Sequence, residues 1–242
     1  MCNLNKHNNE LLNKWRDSHL KRGYTKFIYD GIVSKESWDA ADKKICFFLK
    51  EAYLKDDVET ADLCDWLNKY DLWRMWWVVS DWIYGIENTT SISISAFDEK
   101  LLNEKTPANK RVRSAAIINI KKSNGNTNSE HEDLETFAKN DKELIKQQFS
   151  EIDPQIIVCG NTGYYFETVF GYDPETANSC AEYNGTKINH EIFNQKGYAW
   201  AGNTLIIDFC HPSNRFMRMG KYYAFCALYQ QALIEKQMTT KI

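Results

Sequence analysis

The sequence predicts an α/β protein built around a layered sheet, and two observations lead to that fold class. Four short apolar runs each follow charge or proline and precede small or polar residues, which is typical of buried strands of a parallel sheet. Segments with apolar residues three and four positions apart, typical of amphipathic helices, lie between these runs. Strands that alternate with helices form layered α/β folds, so we expect that architecture here.

The predicted elements follow in order along the chain. The apolar runs predict strands over residues 44–49 (KICFFL), 114–120 (SAAIINI), 155–159 (QIIVC) and 204–210 (TLIIDFC). The helical spacing predicts helices over residues 61–82, 134–152 and 220–236. Residues 86–110 form a polar loop region, whereas the excursion at 166–201 is long for a connection and is expected to form the wall of a site.

We expect a single domain over residues 1–242. The apolar fraction of 43% is enough for a substantial core, and 26% charge with only four prolines excludes a largely disordered chain. Residues 1–42 precede the first strand and are predicted to be an N-terminal helical extension that packs on the sheet through Trp15 and Trp38.

The overall charge does not indicate a partner. Thirty Lys and Arg residues stand against 33 Asp and Glu residues, for a formal net charge of −3. This balance excludes a polybasic coat, so any contact with nucleic acid is expected to use a local basic face.

The cysteines and the N-terminus predict the compartment. Seven cysteines lie far apart with no C-x-x-C pair, which indicates free thiols in a reducing cytoplasm and no metal or iron–sulfur site. The polar N-terminus is unlike a signal peptide, and the most apolar stretch, 73–86, is interrupted by Arg74, Asp81 and Gly85. We therefore expect a cytoplasmic protein with no membrane contact.

Chemically capable residues follow each predicted strand. In an open parallel sheet, ligands bind at the carboxyl ends of the strands, so these residues are expected to meet at one rim. In strand order they are Lys50, Glu51, Ala52 and Tyr53; Asn119, Lys121 and Lys122; Gly160 and Asn161; and His211, Ser213, Asn214 and Arg215.

Four of these segments together resemble the uracil-DNA glycosylase superfamily. The matching text is FFLKEAY (47–53), IINIKKSNGNTNS (117–129), IIVCGNT (156–162) and IIDFCHPSNR (206–215), in the family's order. The resemblance covers roughly residues 43–230. It implies a three-layer α/β/α sandwich with a central four-stranded parallel sheet, and a monofunctional DNA glycosylase that flips a base out of duplex DNA and hydrolyses its N-glycosidic bond.

The resemblance also implies roles for individual residues. His211 is similar to the histidine that hydrogen-bonds a carbonyl oxygen of the flipped base and stabilises the departing anion. Asn119 resembles the asparagine that reads the base, because its amide offers both a donor and an acceptor. Ser213 and Asn214 would hold a backbone phosphate. The loop that enters the duplex would be formed by Arg215, Phe216, Met217 and Arg218.

The remaining predicted contacts concern the DNA backbone and the base. Lys121, Lys122 and Lys221 are expected to form a basic rim together with Arg215 and Arg218. The predicted lining of the base pocket is Lys50, Ala52, Tyr53, Gly160 and Asn161. The resemblance implies no metal and no organic cofactor, and it favours a monomer.

The first motif departs from the best-known branch of the family, in which an aspartate orients the attacking water. Three alternatives are open for that role here: Glu51, one of the aspartates Asp56 and Asp57, or Asn119. Because the change falls where the pocket selects a base, the substrate stays open between uracil, another damaged base and a bulky modified base such as phage DNA carries.

Two other classes of function are compatible with the sequence. The first is a catalytically inactive glycosylase-like module that binds DNA or a nucleotide, and the second is a nucleotide-binding hydrolase. The hydrolase is disfavoured because neither a P-loop nor G-x-G-x-x-G occurs. Structural roles are also open for single residues: Gly160 can serve only to let the chain approach closely, and Glu51 can be a surface carboxylate paired with a lysine.

Overall fold

The computed structural model describes residues 10–53, 59–126 and 128–240. Its strands are β1 (Phe27–Tyr29), β2 (Gly31–Ile32), β3 (Ile45–Glu51), β4 (Thr60–Asp62), β5 (Ala116–Lys121), β6 (Ile156–Gly160), β7 (Ala181–Tyr183), β8 (Thr186–Ile188), β9 (Tyr198–Ala201) and β10 (Thr204–Phe209). Its helices are α1 (Glu10–Lys21), α2 (Lys35–Ala40), α3 (Leu63–Lys69), α4 (Met75–Asn88), α5 (Glu99–Leu102), α6 (Lys105–Arg113), α7 (His131–Asn140), α8 (Lys142–Ile152), α9 (Gly163–Val169), α10 (His190–Lys196) and α11 (Arg218–Thr240).

The central sheet contains all four predicted strands. Its order in the described residues is β2-β5-β3-β6-β10-β9, and β5, β3, β6 and β10 run parallel to their neighbours in this set. The outer strands β2 and β9 pair in antiparallel fashion with β5 and β10. The sheet is therefore six-stranded and mixed, and the four predicted parallel strands lie together at its centre. The sequence did not predict the edge strands, because β2 is only two residues long and the four residues of β9 (YAWA) stand at the end of the 166–201 excursion.

Both faces of the sheet are buried, as the continuous apolar runs predicted. Along β3, Phe48 faces one core cluster and Phe47 faces the other, because successive side chains of a strand point to opposite faces. The first cluster is completed by side chains of α1, α7, α8 and α9, and the second by side chains of α3, α4, α6 and α11. The prediction of an α/β fold is confirmed.

Two of the predicted helices are each divided. The segment 61–82 becomes β4, α3 and α4, with a break at Arg74, whose φ of 47° is incompatible with a continuous right-handed helix. The segment 134–152 becomes α7 and α8, which meet at Asp141. This buried carboxylate accepts hydrogen bonds from His19 and Arg22, so the turn is held by contacts that are distant in sequence.

The N-terminal segment and the 166–201 excursion are both part of the packed domain. Trp15 of α1 is fully buried in the first cluster, and residues 31–32 supply the edge strand β2. The segment is thus more than a helical extension. In the excursion, Tyr183 and Phe193 are buried in the same cluster, so this segment covers a face of the sheet.

No helix within the described ranges is long and apolar enough to span a membrane.

Candidate active site at the carboxyl edge of the sheet

The strand order indicates where a ligand crevice is expected, at the carboxyl edge of the sheet. Strand β5, the next central strand after β3 in the chain, pairs with one side of β3, whereas β6 pairs with its other side. The direction in which successive strands are added to the sheet therefore reverses between β3 and β6. In open α/β sheets, ligands bind outside the carboxyl ends of the strands at such a switch point. The residues there are Lys50 and Glu51 from β3, and Gly160 and Asn161 from the end of β6.

Gly160 allows the loop after β10 to approach this crevice. Gly160 pairs with Phe209, the last residue of β10. A Cβ atom on Gly160 would lie 2.7 Å from Leu49 Cδ2, 3.2 Å from Pro212 Cδ and 3.5 Å from His211 Cδ2. There is no room for a side chain at this position, which supports the structural role of Gly160. Because Gly160 has no side chain, His211 can pack against the ends of β3 and β6. A contact between Gly160 and a base stays a prediction.

The hydrogen bonds of His211 define its tautomer. The backbone N–H of Ser213 donates to Nδ1 of His211 at 3.2 Å, and Oγ of Ser213 lies 2.7 Å from the same nitrogen. Because a backbone N–H can only donate, Nδ1 is the acceptor, and the proton of the neutral ring is on Nε2. The Ser213 hydroxyl then donates to Nδ1 as well.

The environment also keeps His211 neutral. Burial lowers the pKa of the imidazole to about 4, and the charges of Lys50 and Lys221 lower it further in the same direction. At neutral pH, His211 is therefore an uncharged ring whose Nε2–H can donate a hydrogen bond. Such a donor can stabilise negative charge on an oxygen without transferring a proton.

The loop after His211 exposes two large apolar side chains. Phe216 is 62% exposed and Met217 is 65% exposed, and the adjacent Arg215 is also exposed. The Phe216 ring lies close to Gly220 in the first turn of α11, where a Cβ would be 2.8 Å from it. The exposed loop therefore has the apolar and cationic character that the sequence predicted for residues 215–217.

Glu51 lies at the end of β3 with its carboxylate already engaged. Its side chain is 3% exposed, and Oε2 accepts the backbone N–H of Asn126 at 3.0 Å. Nζ of Lys121 lies 3.4 Å from the same oxygen. Glu51 is thus a partly buried carboxylate held by the loop after β5, and not a surface ion pair. Its role in orienting a water stays a prediction; Asp56 and Asp57, the alternatives, lie outside the described residues.

Asn119 is oriented by an aspartate that the sequence did not indicate. Both the backbone N–H and Nδ2 of Asn119 donate to Oδ2 of Asp30, at 2.8 and 3.0 Å. Asn119 is 3% exposed and pairs with Leu49, whose side chain contacts Gly160. Asn119 therefore lies near the crevice with one amide hydrogen committed, and its contact with a base stays a prediction.

The two lysines after β5 do not form an exposed basic rim, and that prediction is wrong. Lys122 is fully buried, with Nζ 2.5 Å from Oδ1 of Asp30 and 4.5 Å from the centre of the Trp15 ring. Lys121 is 4% exposed and its ammonium contacts Asp133 and Glu51. Both ammonium groups neutralise carboxylates inside the protein, so neither can bind DNA phosphates in this conformation.

Two further cations of the predicted rim also contact acceptors of the protein. Arg218 donates to both carboxylate oxygens of the buried Asp81, at 2.5 and 2.7 Å, and to Oδ1 of Asn103. Lys221 is 4% exposed and donates to the carbonyl oxygens of Pro212 and Asn214. The guanidinium of Arg218 joins α11 to α4 and is 29% exposed, and its contact with DNA stays a prediction.

The other predicted site residues lie at the rim with varied exposure. Tyr53 is 53% exposed, Asn161 is exposed in the left-handed conformation with φ of 56°, and Lys50 and Ala52 are half-buried. Asn214 is exposed and its side chain accepts the backbone N–H of Phe216. Their contacts with a base or a phosphate stay predictions.

Sequence reasoning missed two buried polar groups. Asp30 interrupts the apolar run FIYDGIV (27–33), and Glu167 interrupts YYFETVF (164–170). A single acidic residue inside an apolar run indicates a buried carboxylate, and a buried carboxylate needs hydrogen-bonding or charged partners. This signal was present in the sequence at both positions. The partner of Glu167 is His190, whose Nδ1 lies 2.8 Å from Oε2.

Comparisons of the chain with protein-family models, with curated proteins and with solved structures find no match. A functional assignment therefore depends on the residues of the site.

Proposed function

We propose that the protein is a monofunctional DNA glycosylase, a divergent relative of the uracil-DNA glycosylases with their three-layer architecture. One observation carries the proposal. His211 is a neutral imidazole with its proton on Nε2, held above the switch point of a parallel sheet by Ser213 and Gly160. A fixed neutral donor at that position is suited to the negative charge that develops on a departing base.

In the proposed reaction, the bond between the base and the sugar breaks first. The sugar becomes oxocarbenium-like, and the electron pair of the bond moves onto the base, where a carbonyl oxygen accepts a hydrogen bond from Nε2–H of His211. A water oriented by Glu51 then adds to the sugar carbon and loses a proton, and this proton neutralises the departed base anion through solvent. The products are an abasic site and a neutral free base. Asn119 holds the base edge through the part of its amide that Asp30 does not occupy.

The exposed loop supports DNA as the substrate. Phe216 and Met217 would fill the space that the flipped base leaves, and Arg215 would contact the adjacent phosphate. The proposal is for a monomeric cytoplasmic enzyme that uses no metal or organic cofactor. Its role can be repair of damaged DNA or defence against phage DNA with modified bases.

The test is base release from defined duplexes. Oligonucleotides containing uracil, other deaminated bases or alkylated bases, together with phage DNA carrying bulky modified bases, would be incubated with the protein. Mass spectrometry would identify the free base, and alkali cleavage would reveal abasic sites. We expect release from at least one substrate, and a loss of roughly 10²–10³-fold in rate for His211→Ala, the size typical of losing one charge-stabilising donor.

The matched control is His131→Ala, which removes an imidazole that contacts Tyr165 and lies on α7. Its rate should equal that of the unmodified protein. If no substrate yields free base, or if His211→Ala retains full activity, the proposal is wrong.

A second candidate, a glycosylase-like module that binds DNA without cutting it, is favoured by one observation. Glu51 already accepts from Asn126 and Lys121, and Nδ2 of Asn119 already donates to Asp30. Tight binding to one of these duplexes with no base release over hours would select this function.

A further inference from the structure

Lys221 is a buried cation whose contacts the proposed reaction does not use. Its ammonium group donates to the carbonyl oxygen of Pro212 at 3.1 Å and to that of Asn214 at 2.8 Å. These two residues flank Ser213, which holds the imidazole of His211. Lys221 thus holds the loop next to the histidine, although it stands nine positions after Pro212 and seven after Asn214 in the sequence.

We infer that Lys221 is a positioning residue for His211, because its ammonium group holds the 212–214 loop in the conformation that presents Ser213 to the ring. The inference rests on the proposed function only for its catalytic consequence. The positioning itself concerns the geometry of the loop and can be measured without any substrate.

The geometry leaves few other restraints on this loop. Ser213 and Asn214 are exposed, and the backbone N–H of Asn214 donates to the carbonyl of His211. Pro212 has no backbone N–H to donate. The two carbonyl oxygens that Lys221 binds would lose a charged donor if the ammonium were removed, and charge-assisted hydrogen bonds are about twice as strong as neutral ones.

The charge of Lys221 acts on the same ring. Lys50 from β3 and Lys221 from α11 both lower the pKa of His211, in addition to burial. The pKa of Lys221 is itself lowered by burial, which the nearby Cys210 and Asp81 partly oppose, while Arg218 adds to the lowering. Removal of this ammonium group should therefore loosen the ring and also make it easier to protonate.

The experiment compares Lys221→Met with two other variants at the same position. Long-range ¹H–¹⁵N NMR would report the tautomer and the titration midpoint of His211, with the signal assigned from His211→Ala. In Lys221→Met we expect the Nε2–H tautomer to lose its dominance and the midpoint to rise by about one pH unit or more. Lys221→Gln keeps a donor without the charge, so the tautomer should persist while the midpoint still rises. Lys221→Arg keeps charge and donors and should stay close to the unmodified protein.

The matched control is Lys43→Met. Lys43 is a partly buried lysine that also donates to a main-chain carbonyl, that of Ile86, and it contacts Tyr229 farther along α11. This variant should alter stability without moving the His211 titration.

Each outcome decides a different question. An unchanged tautomer in Lys221→Met overturns the positioning role; if that variant does not fold, an unchanged tautomer in Lys221→Ala does so. An unchanged midpoint in Lys221→Gln overturns instead the action of the Lys221 charge on the His211 ring. With a substrate in hand, Lys221→Met should lose at least about tenfold in the rate of base release. If no duplex is cleaved by the unmodified protein, the proposed function fails while the NMR result still stands.

Discussion

The chemistry of His211 is decided by the atoms that touch its ring. A histidine after a buried strand is ordinarily a titrating group with a pKa near 6.5. Here burial and two lysines lower that pKa to about 4, and a backbone N–H selects the tautomer. The same residue type would be a general acid in a more exposed and acidic setting, so the function depends on the environment rather than on the residue.

This neutrality predicts the pH dependence of base release. Since His211 acts as a neutral donor, its contribution should be constant from pH 8 down to about pH 5 and should fall only as the pH approaches the pKa of about 4. The measurement is the single-turnover rate of base release against pH. A protonated histidine with an ordinary pKa would instead lose activity as the pH rises through about 6.5, and a tenfold fall between pH 6 and 8 would contradict the assignment.

The stability of the fold should also depend on the protonation of His211. The unfolded chain protonates this imidazole below about pH 6.5, whereas the folded protein does so only near pH 4. The unfolded state therefore binds more protons between these values, and the contribution of His211 to the free energy of unfolding falls as the pH falls through this window.

Helices α9 and α10 are joined by a buried acid and a histidine. Glu167 of α9 is fully buried, and its Oε2 lies 2.8 Å from Nδ1 of His190 at the start of α10. The His190 ring is stacked on Tyr172, with 4.1 Å between ring centres. Burial raises the pKa of Glu167 to about 7, although the contact with His190 opposes the rise.

Glu167→Gln should therefore change stability in a pH-dependent manner. The pKa of Glu167 is higher in the folded state than its ordinary value of 4.5, so the folded state binds more protons and stability is lost as the pH rises through about 7. Relative to the unmodified protein, the variant should gain about 1–3 kcal/mol in the free energy of unfolding between pH 5 and pH 8. Urea denaturation at the two pH values measures this difference.

The control is Glu143→Gln on α8, whose carboxyl group is largely exposed. Its stability relative to the unmodified protein should change little between the two pH values. An equal change in both variants would mean that the burial of Glu167 is not the cause.

At the scale of the whole molecule, the described residues leave fewer free cations at the carboxyl edge than the sequence suggests. Of the five basic residues predicted for the rim, Lys121, Lys122, Arg218 and Lys221 contact internal acceptors, while Arg215 is exposed. This weakens the electrostatic support for DNA binding and leaves the apolar loop as its main structural support.

A shallow salt dependence of DNA binding follows from this arrangement. Each phosphate contact contributes about −0.9 to the slope of log K against log salt concentration. We expect a slope of about −1 to −2 for the His211→Ala protein on a duplex, measured by fluorescence anisotropy, with Arg215→Ala reducing its magnitude by about 1. Lys146→Ala on α8 is the control and should leave the slope unchanged. A slope steeper than about −5 would mean that other cations carry the interface.

The four central strands of this protein are determined locally, and the sequence predicted them. Runs such as 44–49 and 204–210 are apolar without interruption, because both faces of a central parallel strand are buried whatever the rest of the chain does. The position of His211 at the carboxyl edge follows directly from the end of such a strand. The edge strands β2 and β9 are only two and four residues long, which is too short for an equally clear pattern.

What the sequence by itself determined is therefore the fold class, the four central strands and the rim on which the candidate residues lie. Only the tertiary structure decided which of those residues are free to act. Lys122 looks like any lysine after a strand, and its burial depends on Asp30, 92 positions away in the chain. The tautomer of His211 likewise depends on the position of one backbone N–H, that of Ser213. The packing of α11 against α4 places Arg218 beside Asp81. Hydrophobic periodicity is a local property, whereas the partner of a charged group is chosen by long-range packing.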